Sequence, residues 1–421
     1  MLVLVRCFAF ILLLMPLAMG CSEEGTEEET EDEDDSGAVQ TTTTVDAGTG
    51  GVGSATNNGT SPGYSGAITG YFIGHSAMND VVADHVATHA SGAGTAQLTV
   101  TESTTEGLSL EDKAGVPGIA AVLGGGTHTY DFVVITEVWD YQNYDAEDQG
   151  ADTNAAPSGC PDSSYTPPSD WTNPPSDWSP TPYYVQRYRD AFVCGNSATR
   201  VFYYQTWSLG YNEVENGATR ASDSSFVRPG LDQELVWYPD LALADRIEYE
   251  GLKWQKFVAA ANRPDIIFIP AAYALARLMR AIEAGTAPGF EALAATGGLH
   301  NGRLAWADYL FYEDQYHLSS VGHYFMALVI YASVFDADPT GIPVGSGLYP
   351  GSEYFADGQY PLRGVSDAEY ETLLAEAGAS GVYDLRGHNN LDYLPDSLRD
   401  YLQTLARTTV VEERQALSLS P

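Results

Sequence analysis

Short apolar runs that alternate with stretches of helical spacing limit the folds open to this chain more than any other feature. Ala67 to Ile73 (Ala-Ile-Thr-Gly-Tyr-Phe-Ile), Phe132 to Ile135, Arg200 to Tyr204 and Ile266 to Ile269 are strand-length segments with little polar alternation. Such runs suit strands covered on both faces, as in a parallel sheet. Between them, Ser76 to Thr88 carries Met78, Val81, Val82 and Val86 at helical spacing, and Gly251 to Asn262 and Tyr273 to Ala284 are further helical stretches. Strand and helix in alternation predict a layered α/β domain with a mostly parallel sheet. Sites in such sheets lie beyond the carboxyl ends of the strands. Ser76 and the residues after Ile135, Tyr204 and Ile269 are therefore expected to converge.

The first twenty residues hold one arginine, Arg6, and then an apolar run, Cys7 to Leu17, closed by Ala18-Met19-Gly20-Cys21. Residues 1–20 read as a signal peptide, too short and wrongly flanked for a spanning helix. Small residues before a cysteine resemble the lipobox of bacterial lipoproteins, which would make Cys21 a lipidated first residue and hold the protein on a membrane surface. Export without lipid is the alternative. Residues 22–35 are mostly Glu and Asp, and 37–62 are Thr, Gly, Ser, Ala and Asn. That composition cannot bury a core, so 21–63 is expected to be a disordered tether.

The net charge is −38 and lysine occurs only at 113, 253 and 256, which excludes nucleic acid as a partner. With Cys7 removed and Cys21 lipidated, Cys160 and Cys194 remain, and in an exported protein they are expected to form a disulfide. Residues 64–340 are expected to form one domain. An insertion of about 145–198, rich in Pro, Ser, Asp and Trp, repeats Pro-Pro-Ser-Asp-Trp at 167–171 and 174–178. A C-terminal extension, 341–421, contains a helix from about Asp396 to Val410 with Leu398, Leu402 and Leu405 as its buried stripe.

Two distant segments carry the chemistry. Gly74-His75-Ser76 follows the first strand, and Asp314-Gln315-Tyr316-His317-Leu318-Ser319 precedes an apolar helix that starts at Ser319 or Ser320 and has Val321, Phe325, Leu328 and Ala332 on one face. A serine hydroxyl needs a positioned imidazole to take its proton, and the imidazole needs a partner that fixes its tautomer. Ser76, His317 and Asp314 could fill those three roles.

These residues resemble the SGNH (GDSL-like) hydrolases. Phe72-Ile73-Gly74-His75-Ser76 is similar to the first block of that family, and Asp314-x-x-His317-Leu318-Ser319-x-x-Gly322 to the last. Gly107-Leu108-Ser109-Leu110 is similar to the second-block glycine, and Tyr203 to Trp207 and Ile269 to Ala272 resemble internal strands of one bacterial branch. The resemblance covers about 64–340. It implies a flavodoxin-like three-layer α/β/α fold and hydrolysis of esters, often acyl groups on carbohydrates, with no cofactor. It further implies Ser76 as nucleophile, His317 as base, Asp314 as its partner, and the N–H groups of Ser76 and Gly107 as oxyanion donors.

Two positions depart from the family pattern. His75 stands where Asp is usual, and Thr136-Glu137-Val138-Trp139 follows the Phe132 to Ile135 strand in place of Gly-x-Asn-Asp. Thr136 or Asn143 could supply the missing third donor; ionised Glu137 could not, because it only accepts. His75, Glu137, Trp139 and Trp207 are the candidates for substrate contact.

Other features have plainer readings. His85 and His89 are spaced i,i+4 on a predicted helix, but without further ligands or a His-Glu-x-x-His pattern they read as two exposed histidines, with no metal. Asp145, Glu147, Asp148 and Asp152 lack calcium-loop spacing and read as a solvated loop. Trp171 and Trp178 are either packing anchors or platforms for sugar rings. The expected activity is two-step acyl transfer on an extracellular ester such as an acylated carbohydrate. The alternative is a non-catalytic surface lipoprotein that binds polysaccharide on the same fold. A peptidase or lipase of another fold is disfavoured, because no Gly-x-Ser-x-Gly elbow surrounds Ser76.

Overall fold

The computed structural model describes residues 41–44, 64, 66–78, 80–104, 109–137, 180–207, 244, 254–255, 258, 263, 265–300, 303–311, 318–344 and 394–419. Its centre is a sheet of six strands: β1 (Thr41–Thr44), β2 (Ala67–Ile73), β3 (Gln97–Ser103), β4 (Phe132–Ile135), β5 (Arg200–Tyr204) and β6 (Ile267–Ile269), in the order β1-β3-β2-β4-β5-β6. The five strands β2 to β6 are all parallel. β1 pairs antiparallel with β3, Thr41 opposite Glu102 and Thr44 opposite Thr99. These four threonines lie in the stretch expected to stay unfolded; their β-branched side chains suit a strand.

Helices cover both faces. Even-numbered positions of β2 to β5, such as Phe72, Val134 and Phe202, join a core with α1 (Asp80–Gly92), α5 (Ala271–Glu283), α7 (Ser320–Phe335) and α8 (Asp396–Leu419). Odd-numbered positions, Tyr71, Ile73, Val133 and Val201 among them, meet α3 (Pro117–Leu123) and α4 (Pro180–Gly195). The result is a three-layer α/β/α arrangement, as the apolar runs require. A short α2 (Leu110–Lys113) precedes α3, and α6 (Ala305–Leu310) precedes α7. No described helix is long and apolar enough to cross a membrane.

Several elements differ from the sequence reading. Strand β3 was not anticipated, and the helix expected from Ser76 is a 3-10 turn (Ser76–Met78) followed by α1. Helix α4 falls within the stretch assigned to an insertion, yet Tyr184, Val185, Tyr188, Ala191 and Phe192 are fully buried core residues. α8 continues nine residues past Val410 to Leu419. Leu398 and Leu402 are buried as expected, while Leu405 is partly buried at the edge of the stripe. The stretch Gly251 to Asn262 falls mostly outside the described residues.

Candidate functional site

Strands β2 and β4 are neighbours in register, with Ile73 opposite Ile135, so the residues that follow them, 74–76 and 136–137, emerge side by side. In the order β3-β2-β4-β5-β6 this is where the connections diverge to opposite faces of the sheet, the usual place for a site in an open α/β fold. The approach of the two chains is tight. A Cβ at Gly74 would lie 2.4 Å from Thr136 Cγ2 and 2.7 Å from Met78 Cε, so only glycine fits. Gly74 N–H donates to Ser103 O at 3.0 Å and Thr136 N–H to Ile73 O at 3.0 Å, extending the sheet by one residue on each side.

Ser76 opens the 3-10 turn. The turn is held by Met78 N–H donating to His75 O at 2.8 Å and Ala77 N–H donating to His75 Nδ1 at 3.3 Å. His75 is buried. As an acceptor its Nδ1 carries no proton, so the neutral ring holds its hydrogen on Nε2. Tyr204, at the end of β5, donates its hydroxyl to Ala77 O at 3.4 Å, a long bond that ties the turn to the next strand end.

Thr136 and Glu137 are fully buried. The Thr136 N–H is already engaged in the sheet, and its hydroxyl makes only a 3.4 Å contact with Glu137 O. Of the two donor groups of Thr136, the hydroxyl is the one not committed to the ladder. Glu137 Oε1 accepts from Leu110 N–H at 3.0 Å, and Tyr188 of α4 donates its hydroxyl to Leu110 O at 2.7 Å. Lys113 is buried nearby; desolvation pushes its ammonium down to about 8, while the Asp112 and Glu137 carboxylates oppose that fall. Trp207 is 1% exposed and packs edge-on against Tyr204, 6.2 Å between ring centroids. In this arrangement it is part of the core.

The approach to α7 is equally well braced. Ser319 is its N-cap, as the sequence suggested: Gly322 N–H donates to Ser319 Oγ at 3.1 Å, Ser319 Oγ donates to Tyr309 O at 2.8 Å, and Ser319 N–H donates to Leu310 O at 2.9 Å. Phe311 and Leu318 form an antiparallel bridge. A Cβ at Gly322 would lie 2.5 Å from Leu310 O, so glycine is needed there for the close contact between α6 and α7.

Helices α1 and α7 run in the same direction. His85 and His89 of α1 pack on Tyr324 (6.3 and 5.3 Å), and His89 also on Tyr331 (6.3 Å), while Thr95, just beyond α1, bonds the Tyr331 hydroxyl at 2.7 Å. At the far end, Phe335 packs against Phe132 at the start of β4, and Arg200 at the start of β5 donates to Val334 O at 3.4 Å. The C-terminus of α7 therefore lies at the amino edge of the sheet, and its N-terminus, where Ser319 sits, lies at the carboxyl edge with Ser76.

His85 and His89 correct the expectation that they are exposed: both are fully buried where α1 packs on α7, and His89 also bonds the Tyr324 backbone. Burial lowers their pKa values to about 4 and about 3. Among the described residues, no group of three or more His, Cys, Asp or Glu side chains could hold a metal ion. Asp314, His317, Gly107, Asn143, Trp139, Cys160, Cys21, Trp171, Trp178 and the acidic run at 145–152 lie outside the described residues. Cys194 sits in the last turn of α4.

The role of Glu137 on Leu110 was missed by the sequence reading. A buried carboxylate leaves no sequence signature beyond the return of polarity after an apolar strand.

No family model and no curated protein matches the chain. Among solved structures, it is similar to a DUF4886 family protein from Bacteroides uniformis, with 12% identity, a TM-score of 0.41, and coverage of 82% of this chain and 95% of that one. A likeness that slight carries no argument about fold or function.

Proposed function

We propose that this chain is an exported serine ester hydrolase of the SGNH type, with the flavodoxin-like strand order of that family, lipid-anchored through Cys21 and acting on an extracellular ester such as an acylated carbohydrate. Ser76 attacks the ester carbonyl, His317 takes its proton and passes it to the leaving alcohol, and Asp314 orients the imidazole. Water then resolves the acyl-enzyme by the reverse sequence of proton transfers. The N–H groups of Ser76 and Gly107 donate to the oxyanion, with the Thr136 hydroxyl or Asn143 as a third donor. The Cys160–Cys194 disulfide fastens the Pro- and Trp-rich segment to α4.

The observation that carries this reading is the shared direction of α1 and α7. The carboxyl end of β2, which leads into Ser76, and the N-terminus of α7, capped by Ser319, lie at the same edge of one sheet, though about 240 residues separate them. The cap and bridge at Ser319 and Leu318 brace the N-terminus of α7 at that edge.

The test is hydrolysis of short-chain nitrophenyl esters by the wild type and by Ser76→Ala. Loss of the wild-type rate in the variant is expected; equal rates would reject the reading. The non-catalytic reading, a lipoprotein that binds polysaccharide, draws on one observation: Thr136 N–H and the Glu137 carboxylate, where a third donor would be sought, are already engaged within the protein.

A further inference from the structure

The chain that leaves β5 meets the start of α5. Gln205 is fully buried; its N–H donates to Ile269 O at 3.1 Å, and its side-chain Oε1 accepts from Tyr273 N–H at 3.2 Å. Only an oxygen can accept from that N–H, so the orientation of the amide is fixed and its other atom is the Nε2 donor. Nε2 sits on the same carbon as Oε1, at the same helix end, and it is buried without a hydrogen-bond partner. α5 itself starts uncapped: Pro270 at the N-cap makes no side-chain bond, and no acidic residue stands in the first turn. Ala274 N–H donates to Pro270 O, the first bond of the helix, and Tyr273 N–H is taken by Gln205. The N–H groups of Ala271 and Ala272, both fully buried residues, have no hydrogen-bond partner among the described residues.

As a cap alone, a carboxylate at 205 would serve better, because it accepts from N–H groups more strongly than an amide does and suits the positive end of a helix. Glutamine instead adds a donor to an end that already has two unsatisfied ones. A buried donor without an acceptor is disfavoured. An oxyanion answers all three: a carboxylate or phosphate offers several lone pairs and brings negative charge to the positive end of α5. A water molecule, with two lone pairs, falls one short.

We propose that the N-terminus of α5 and the Gln205 amide form a binding site for a small oxyanion, a carboxylate or phosphate group, held by the N–H groups of Ala271 and Ala272 and by Gln205 Nε2. The site lies beyond the carboxyl ends of β5 and β6, where ligands of open α/β sheets bind. β4 alone separates β5 from the strand that leads to Ser76, so those two strand ends are about 10 Å apart. An oxyanion there does not require Ser76 to act as a nucleophile, so the site stands or falls apart from the ester-hydrolase reading.

The experiment titrates the full chain with sodium acetate and, separately, with sodium phosphate, sodium chloride holding the ionic strength constant. Thermal unfolding is recorded for the wild type and for Gln205→Glu, and the amide resonances of Ala271, Ala272 and the Gln205 side chain are followed by NMR in the wild type. At about ten times the dissociation constant of the anion, the wild-type melting temperature is expected to rise by about 2 °C. The substitution Gln205→Glu keeps an acceptor for Tyr273 N–H and replaces the donor with a charged oxygen. Without added anion that variant should melt at or above the wild-type temperature, and its affinity for the anion should be at least about tenfold weaker. In the wild type the three resonances should shift saturably, and whichever anion moves them at lower concentration gives the class of the natural ligand.

Three resonances that stay in place through both titrations overturn the site, and that measurement needs no variant to fold. An anion response of equal size in the wild type and in Gln205→Glu puts the effect elsewhere on the protein and overturns it as well.

Discussion

Position 74 shows how one atom can decide whether a site forms. The methyl group of Thr136 occupies the space a side chain at 74 would need, so β2 and β4 can continue side by side past Ile73 and Ile135 only because residue 74 is glycine. Gly74→Ala is expected to lower stability by about 1–3 kcal/mol, the usual range for overpacking, and to shift the turn that opens with Ser76. Replacing Thr136 with Ser in the same variant removes the obstructing methyl and should recover part of the loss. Thermal melts of the single and double variants read this directly; equal melting temperatures for the two would show that Met78 is the true obstacle. The Gly-x-Ser pattern marked this turn from sequence alone, but the pressure from Thr136 was not legible there, because it depends on the register of a strand about sixty residues away.

At the scale of elements, legibility followed how much of a segment's environment its own residues imply. α7 was readable at its start because Ser319 announces a cap, and along the face that carries Val321, Phe325, Leu328 and Ala332; the structure buries its other faces as well. β3 escaped notice because Gln97-Leu-Thr-Val-Thr-Glu-Ser is only weakly apolar, and its Thr101, Glu102 and Ser103 are buried by neighbours rather than by their own character. α4 was obscured by the Pro- and Tyr-rich sequence around its first turn. The cap at Ser319 also makes a prediction, since its hydroxyl both accepts from Gly322 N–H and donates to Tyr309 O. Ser319→Ala should lower stability by about 1 kcal/mol, typical for a lost N-cap. If the base precedes this helix, ester turnover should fall more than stability does. Melting and nitrophenyl-ester rates measured on the same preparation check both parts, and unchanged turnover would count against His317 as the base.

For the whole molecule, the contact between α1 and α7 has a consequence for acid. His85 and His89 have pKa values of about 4 and about 3 in the native state because burial disfavours their charged forms. In the unfolded chain they titrate near 6.5. Between about 6.5 and 4 the unfolded state therefore binds protons that the native state does not. Stability present at neutral pH is lost as pH falls through that window, by up to about 1.4 kcal/mol per pH unit for each histidine. Urea unfolding at pH 7.0 and 5.5 should show a lower midpoint at the lower pH, and changing both histidines to Leu should flatten that difference; an undiminished difference would assign it to other groups. The i,i+4 spacing put both rings on one helix face, but only the packing of Tyr324 and Tyr331 reveals that this face is inside.

The edge strand β1 bears on the geometry of anchorage. If Cys21 carries lipid, as proposed, the chain between that anchor and the sheet ends at Thr41, where β1 pairs with β3, and not at Tyr64. Fully extended, the shorter leash reaches about 70 Å and the longer one about 150 Å. If the proposed lipid anchor is present, pairing those threonines would shorten the reach of the folded part from the bilayer, and a target held farther out would be met only when that strand lets go.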